Sequence, residues 1–353
     1  MVQLYTVVGA RPQFVKAAVI SRIIRTKFLD TIHERFIHTG QHYDANMSEV
    51  FFEEMDIPHP ALNLAVGSGS HATTTAKMMV AIEQDLLEAK PDVVLVYGDT
   101  NSTLAAALSA SKLHIPIAHV EAGLRSFNRR MPEEINRVMC DHLSTWCFCP
   151  TNAANENLDL EGLHKRSYLV GDVMLDACEY YRSRNNIDVQ SKQPDYYVLT
   201  IHRAENTDNV ERLSSIVRAI NEAKNMRAIF PVHPRTKKAL AINNLRFGSH
   251  IEVIEPVGYL EMLSLLEGST HVVTDSGGLQ KEAFFLERPC ITLRDETEWT
   301  ETVVSGWNTL VGSESRKILH ALNTVSKPAL YPTLYGDGRT GEKIIDVLLG
   351  KAK

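Results

Sequence analysis

The chain has 353 residues, 44% of them hydrophobic and 23% charged, the balance of a soluble globular protein long enough for two domains rather than one core. A formal charge of −6, a pI near 6.2 and the lack of any Lys/Arg block argue against a nucleic-acid or polyanion surface. MVQLYTVVGARP lacks the basic and apolar regions of a signal peptide, and no run of about 18 apolar residues offers a membrane span, so a cytoplasmic protein is expected. The cysteines at 140, 147, 149, 178 and 290 are odd in number and form no CxxC pair; buried reduced thiols are expected, and no metal site.

Short apolar runs alternate with helical patterns from the first residues. LYTVVG reads as a strand and FVKAAVISRIIRT as a helix. RFIHTG is a strand, and the stretch around NMSEVFFEEM is helical. The amphipathic TTTAKMMVAIEQDLLEAK leads to the strand DVVLVYGD, then the helix TLAAALSASKLH and the strand IPIAHVEAG. EEINRVMCDHLS is a helix, WCFCPT a strand, ANENLDLEG a helix and SYLVGD a strand. A helical and then polar connection follows, ACEYYRSRNNIDVQSKQPD. The rhythm restarts with YYVLTIH, AIFPVHP, IEVIEP, HVVTDS, PCITLRD and NTLVG as strands, separated by helical stretches and closed by RTGEKIIDVLLG. Repeated βα units predict an α/β protein of two doubly wound, parallel-sheet, Rossmann-like domains. The reading places them at residues 1–172 and 173–339, facing across a cleft, with the helix 340–353 packing back on the first.

Ligands of open α/β sheets bind beyond the carboxyl ends of the strands, so the polar residues there are the candidates. The first half presents Gly9-Ala10-Arg11-Pro12, His38-Thr39-Gly40-Gln41-His42, Gly98-Asp99-Thr100 and His119-Val120-Glu121. The second presents His202-Arg203, His233-Pro234-Arg235, Asp275-Ser276-Gly277-Gly278 and Arg294-Asp295-Glu296. Asp275-Ser276-Gly277-Gly278 follows an apolar strand and opens a helix, whose free N–H groups and partial positive charge suit a diphosphate; an ordinary N-cap with a glycine turn explains the same four residues. Arg11 and Lys16 are either phosphate partners or solvated charge on the first helix. Asp99 and Glu121 end neighbouring strands and are candidates for acid–base work. Glu133 follows Pro132, where a first-turn acid also simply suits the helix dipole, and Glu134 reads as structural. His202 and His233 are each a base, a phosphate donor or a core histidine. HExxH, GxSxG, GxxxxGK[ST] and GxGxxG are all absent, against a zincin, an α/β-hydrolase, a P-loop NTPase and an NAD fingerprint.

GARPQFVK, HTGQH, YGDTNSTLAA, HVEAGLRS, MPEEINR, GDVMLD, HRAEN, PVHPR and TDSGGLQKEA occur in this order along nearly the whole chain. Together they resemble the non-hydrolysing UDP-N-acetylglucosamine 2-epimerase family. The resemblance implies the glycosyltransferase-B arrangement and inversion at C2 of a UDP-2-acetamido sugar. UDP leaves by anti elimination to a glycal and adds back, with no cofactor or metal. It implies Asp99, Glu121, Glu133 and His202 as functional acids and histidine, and Arg11 and Lys16 near the phosphates. It further implies Ser276, Gly277 and Gly278 as the diphosphate loop and Glu282 on the ribose; His233 is placed in the same UDP-binding set. A UDP-sugar partner and a homodimer are expected.

Two departures refine the expectation. The family's GARPEAIK and ETERPE become GARPQFVK and RDETEWTE, so Trp299 replaces an arginine and a bidentate anion donor becomes an indole with one donor. GARPQFVKAA, HYDANMSEVFFEE and DETEW resemble the branch acting on UDP-2,3-diacetamido-2,3-dideoxy-D-glucuronate, which makes the manno epimer for bacterial O-antigen. The carboxylate at C6 of that sugar calls for a cation, with Arg125, Arg129, Arg130 and Arg235 as candidates. Tyr43 and Asp44, beside Gln41 and His42, depart from the pattern of the family's allosteric site.

Overall fold

The computed structural model describes residues 1–40, 55–67, 69–184 and 196–351, the side chain of Arg11 excepted. Gln41, His42, Tyr43 and Asp44, and most of the expected helix around NMSEVFFEEM, lie outside the described residues. The chain divides into two compact units, Met1–Glu179 with Thr333–Lys353, and Tyr180–Pro332.

The first unit is built on a parallel sheet of β1 (Val2–Val8), β2 (Ile32–His38), β3 (Leu62–Asn63), β4 (Val93–Tyr97), β5 (Ile117–Val120), β6 (Trp146–Cys149) and β7 (Ser167–Leu169). The order is β3-β2-β1-β4-β5-β6-β7, so the chain reverses its direction of travel between β1 and β4. That point is where open α/β sheets leave a crevice. β4 is buried along its whole length, as expected of a strand covered on both faces. Tyr5, Val7, Val94, Val96 and Ile117 form one core with Met78, Ile82 and Leu86. The helix Asn101–Lys112 joins that core through Ala105, Ala106, Ala107 and Ala110, whose small side chains let it lie close to the sheet. All five cysteines are buried thiols outside any disulfide.

The second unit repeats the plan with β8 (Tyr196–Thr200), β9 (Arg227–Pro231), β10 (Ile251–Ile254), β11 (Val272–Thr274), β12 (Cys290–Thr292) and β13 (Asn308–Leu310). Its order is β10-β9-β8-β11-β12-β13, with the reversal between β8 and β11. The helix Val210–Glu222 turns Leu213, Ile216, Val217 and Ile220 into this core. Among the described residues no helix is long and apolar enough to cross a membrane.

The division falls inside the helix Val173–Arg184, whereas the sequence reading put it at 172/173. The reason is the returning tail. Asp172 N–H donates to the Tyr335 carbonyl at 2.9 Å. The Asp176 carboxylate accepts from Thr340 N–H at 3.1 Å and Gly341 N–H at 2.8 Å. An acid from the first unit thus meets the free N–H groups at the start of the tail helix Thr340–Leu348. That helix packs on Arg11–Lys27 at Gly341, where an added Cβ would meet Ile23 Cδ1 at 2.5 Å, and Lys27 pairs with Glu342. Asp176→Ala removes two charge-assisted hydrogen bonds from buried donors and is expected to cost about 2–4 kcal/mol; chemical denaturation of the two proteins side by side measures it, and an unchanged midpoint contradicts this account of the tail.

Candidate active site

At the reversal of the first sheet, β1 runs on into Gly9 and β4 into Gly98-Asp99, and β4 pairs with both β1 and β5. Gln13 locks the first two strand ends together. Its carbonyl accepts from Gly9 N–H at 2.7 Å and Ala10 N–H at 3.1 Å, and its amide donates to the Tyr97 carbonyl at 2.7 Å. A glutamate has no donor for that carbonyl when ionised, which gives GARPQFVK a structural reason for its glutamine.

Three of the sequence candidates meet here. Lys16, on the second turn of the first helix, forms an ion pair with Glu121, and both side chains are nearly buried. Glu121 lies in left-handed backbone, φ 71°, a conformation costing on the order of 1–3 kcal/mol for a residue other than glycine, kept only where neighbours impose it. Those neighbours are Lys16 and the Phe148 carbonyl, which accepts Glu121 N–H at 3.1 Å. Gly98 has φ 60°, and a Cβ there would stand 3.3 Å from Glu121 Oε2 and 3.6 Å from Lys16 Nζ. Glycine at 98 therefore lets the carboxylate and the ammonium lie against the turn.

Asp99 is the open member of the group, its side chain 32% exposed. It accepts from Arg137 at 2.5 Å, and Asn136 donates to its backbone carbonyl at 2.9 Å. Its carboxyl is raised above the ordinary range. Loss of hydration is the main cause and the Glu121 charge adds to it, while Arg137 and Lys16 oppose. Asp99 and Glu121 thus share one field, and Asp99 is the member that burial and its neighbour's charge work against ionising.

The helix Pro132–Leu143 supplies the supports. Glu133 stands exposed in its first turn. Glu134 is structural: it accepts from Ser126 N–H and Phe127 N–H, each at 2.9 Å, and pairs with Arg137. Arg137 and Asn136 escaped the sequence reading although MPEEINR was in view. An arginine three residues beyond Glu134, on the same helix face, was the available signal. Of the four cations considered for a C6 carboxylate, Arg125 is removed. Its side chain is buried and committed to Asp141 and Glu161, each at 2.7 Å. Arg129 and Arg130 are exposed, and Arg235 pairs with Asp208 at 2.6 Å.

At the reversal of the second sheet, Asp275 is fully buried and accepts from His202 N–H at 3.0 Å, Arg203 N–H at 3.0 Å and Asn206 at 3.0 Å. It ties the end of β8 to the end of β11. The His202 ring is part-exposed and held toward the neutral form, chiefly because burial disfavours the imidazolium, against the pull of Asp275. His233 lies 5.8 Å from it, ring centre to ring centre, and its Nδ1 accepts from Arg235 N–H at 3.1 Å, which leaves the proton on Nε2.

Ser276 caps the helix Gly277–Phe285, its hydroxyl accepting a long bond from Leu279 N–H at 3.4 Å. A Cβ on Gly277 would stand 2.8 Å from Glu298 Oε1, whereas on Gly278 it would find nothing nearer than 4.0 Å. The loop is therefore tight at one glycine and open at the next. Glu282 is buried on the same helix. Trp299 is buried too and lies under the Lys281 ammonium, 4.1 Å from its ring centre, so the indole that replaces the family's arginine faces a cation.

Residues 27–349 match the family model described as UDP-N-acetylglucosamine 2-epimerase. A Methanococcus maripaludis protein named as a homolog of that enzyme is 48% identical, covering 98% of this chain and 99% of its own. The UDP-2,3-diacetamido-2,3-dideoxy-D-glucuronate 2-epimerase of Pseudomonas aeruginosa is also 48% identical, with the same coverage. The solved Methanocaldococcus jannaschii UDP-GlcNAc 2-epimerase, in complex with UDP-GlcNAc and UDP, superposes with a TM-score of 0.90 at 45% identity, covering 99% of each chain. A kitacinnamycin glycotransferase at 13% identity and a TM-score of 0.61 shares the fold alone. By sequence and by structure, the chain belongs to the non-hydrolysing UDP-N-acetylglucosamine 2-epimerase family of isomerases.

Proposed function

We propose that the chain inverts C2 of a UDP-2-acetamido sugar, and that the sugar is UDP-2,3-diacetamido-2,3-dideoxy-D-glucuronate, yielding the manno epimer for a bacterial surface polysaccharide such as O-antigen. The observation that carries the reaction type is the coupling of Asp99 and Glu121 around Gly98. Anti elimination of UDP needs a base at C2, and re-addition needs a proton delivered from the opposite side. Two carboxylates beside one turn, with the Asp99 carboxyl raised, supply that pair. In this reading Asp99, Glu121 and Glu133 serve the sugar, with His202 as the functional histidine. Arg11, Lys16, His233 and the Ser276-Gly277-Gly278 loop neutralise and hold the diphosphate, and Glu282 meets the ribose. Holding the departing UDP is what makes re-addition fast.

The substrate choice rests on GARPQFVK and DETEW and on the Pseudomonas aeruginosa relative. Arg129, Arg130 and Arg235 remain the cations for the C6 carboxylate. The Methanocaldococcus jannaschii structure supports a second reading, UDP-N-acetylglucosamine itself, because its identity to this chain is nearly as high. A glycosyltransferase on the same fold is the alternative of another class; it would transfer the sugar to an acceptor. The family resemblance also supports a homodimer in the cytoplasm.

In deuterated water, solvent deuterium is expected to enter C2 of the diacetamido-glucuronate faster than C2 of UDP-N-acetylglucosamine. Exchange into the latter alone selects the second reading, and exchange into neither defeats both. Asp99→Asn is expected to lower kcat by about 10²–10⁴-fold while calorimetry still detects UDP binding; wild-type turnover would remove Asp99 from the reaction. Gly277→Ala pushes a methyl toward Glu298 and is expected to weaken UDP binding at least about tenfold, with unchanged affinity contradicting the diphosphate role of the loop.

A further inference from the structure

Beneath the Gly98 turn, His119 is completely buried, and each of its ring nitrogens faces an acceptor. Nε2 lies 2.7 Å from the Gly98 carbonyl oxygen, and Nδ1 lies 2.7 Å from Asp141 Oδ1. A carbonyl oxygen accepts only, so Nε2 carries a proton. Nδ1 then needs a proton as well, unless Asp141 is the neutral acid. The surroundings of Asp141 oppose that. Its other oxygen accepts from Arg125 at 2.7 Å and from Gly123 N–H at 3.1 Å. Burial pushes its carboxyl up, but the His119 and Arg125 partners outweigh burial and hold it below the usual range. We infer that His119 is a standing imidazolium, bridging Asp141 to the Gly98 carbonyl, and that it is a positioning residue for Asp99.

The charges around it alternate. Asp141, on the helix Pro132–Leu143, is negative; Arg125, on the segment after β5, is positive; Glu161, at the end of the helix Asn152–Leu160, is negative and closes on Arg125 and His142. Just past β4 the ring meets the Gly98 carbonyl, with Asp99 the next residue along; two residues beyond His119, Glu121 is paired with Lys16. Cys140 and Cys147 lie beside Asp141 with their thiols pushed up by burial, so they stay neutral. The cost of burying an imidazolium is offset by one full carboxylate and one carbonyl dipole in direct contact.

The consequence falls on the carboxylate pair. Gly98 is in left-handed backbone with its N–H on the Val120 carbonyl and its own carbonyl on His119. Asn136 holds the next carbonyl, that of Asp99. Two consecutive carbonyls are thus pinned from below, which fixes the direction in which the Asp99 side chain leaves the turn. A neutral side chain at 119 with one donor holds either Asp141 or the turn, not both.

The inference rests on the epimerase reading for its kinetic consequence but not for the protonation state, so two measurements separate them. In the full-length protein with 15N-labelled histidine, both His119 nitrogens are expected to carry protons. The Nε2 proton is expected to show coupling across the hydrogen bond to the Gly98 carbonyl carbon. A bare nitrogen or a missing coupling overturns the proposal, whatever the enzyme does with any sugar. His119→Gln, folded as judged by wild-type UDP affinity, is expected to lose on the order of 10–100-fold in kcat with KM little changed. Wild-type kcat in that variant overturns the positioning role. If the variant does not fold, the coupling to Gly98 decides alone. If the wild-type protein exchanges no sugar, the function proposed above fails while the imidazolium stands or falls on its spectrum.

Discussion

The Lys16–Glu121 ion pair is the contact on which the arrangement of the first unit's site depends. An ammonium from the first helix and a carboxylate from the end of β5 are taken almost out of water together, which neither tolerates alone. The pair holds Glu121 in left-handed backbone and requires a bare Cα at Gly98. Asp99 then stands beside a charge already spoken for, with its own carboxyl raised and its guanidinium partner on the next helix. One interaction therefore sets the backbone and the residue type at the turn.

The second unit solves a similar problem with a different device. Its buried acid, Asp275, is not neutralised by a lysine but saturated by donors from the end of β8. It serves as a clasp, and Ser276-Gly277-Gly278 follow it at a helix start. The two sheets thus use their strand-end acids unequally: Asp99 is part-exposed and raised, whereas Asp275 is sealed and satisfied.

Much of this was legible in the sequence because βα units write themselves as apolar runs ending in polar clusters. The strands from LYTVVG to NTLVG were readable on that basis, and so were the residues at their ends. Pairs separated widely along the chain were not. Nothing local tells that Lys16 meets Glu121, or that Arg125, which looked free for a substrate carboxylate, is spent on Asp141 and Glu161. Short elements also escaped. β3 has two residues, and the helices Ala204–Thr207 and Thr300–Val304 have four and five, too few for any periodicity to show. The glutamine of GARPQFVK, read as a mark of the branch, also has a structural task, bracing β1 against β4.

Because two relatives of equal identity carry different substrate names, resemblance alone does not decide what reaches the carboxylates. A crystal structure of the chain with a UDP-sugar bound tests the central claim most directly. The account predicts C2 within about 3–3.5 Å of a carboxylate oxygen of Asp99 or Glu121, with the diphosphate oxygens on the N–H groups of Gly277 and Gly278. A sugar ring lying away from both carboxylates, or a diphosphate held elsewhere, would contradict it.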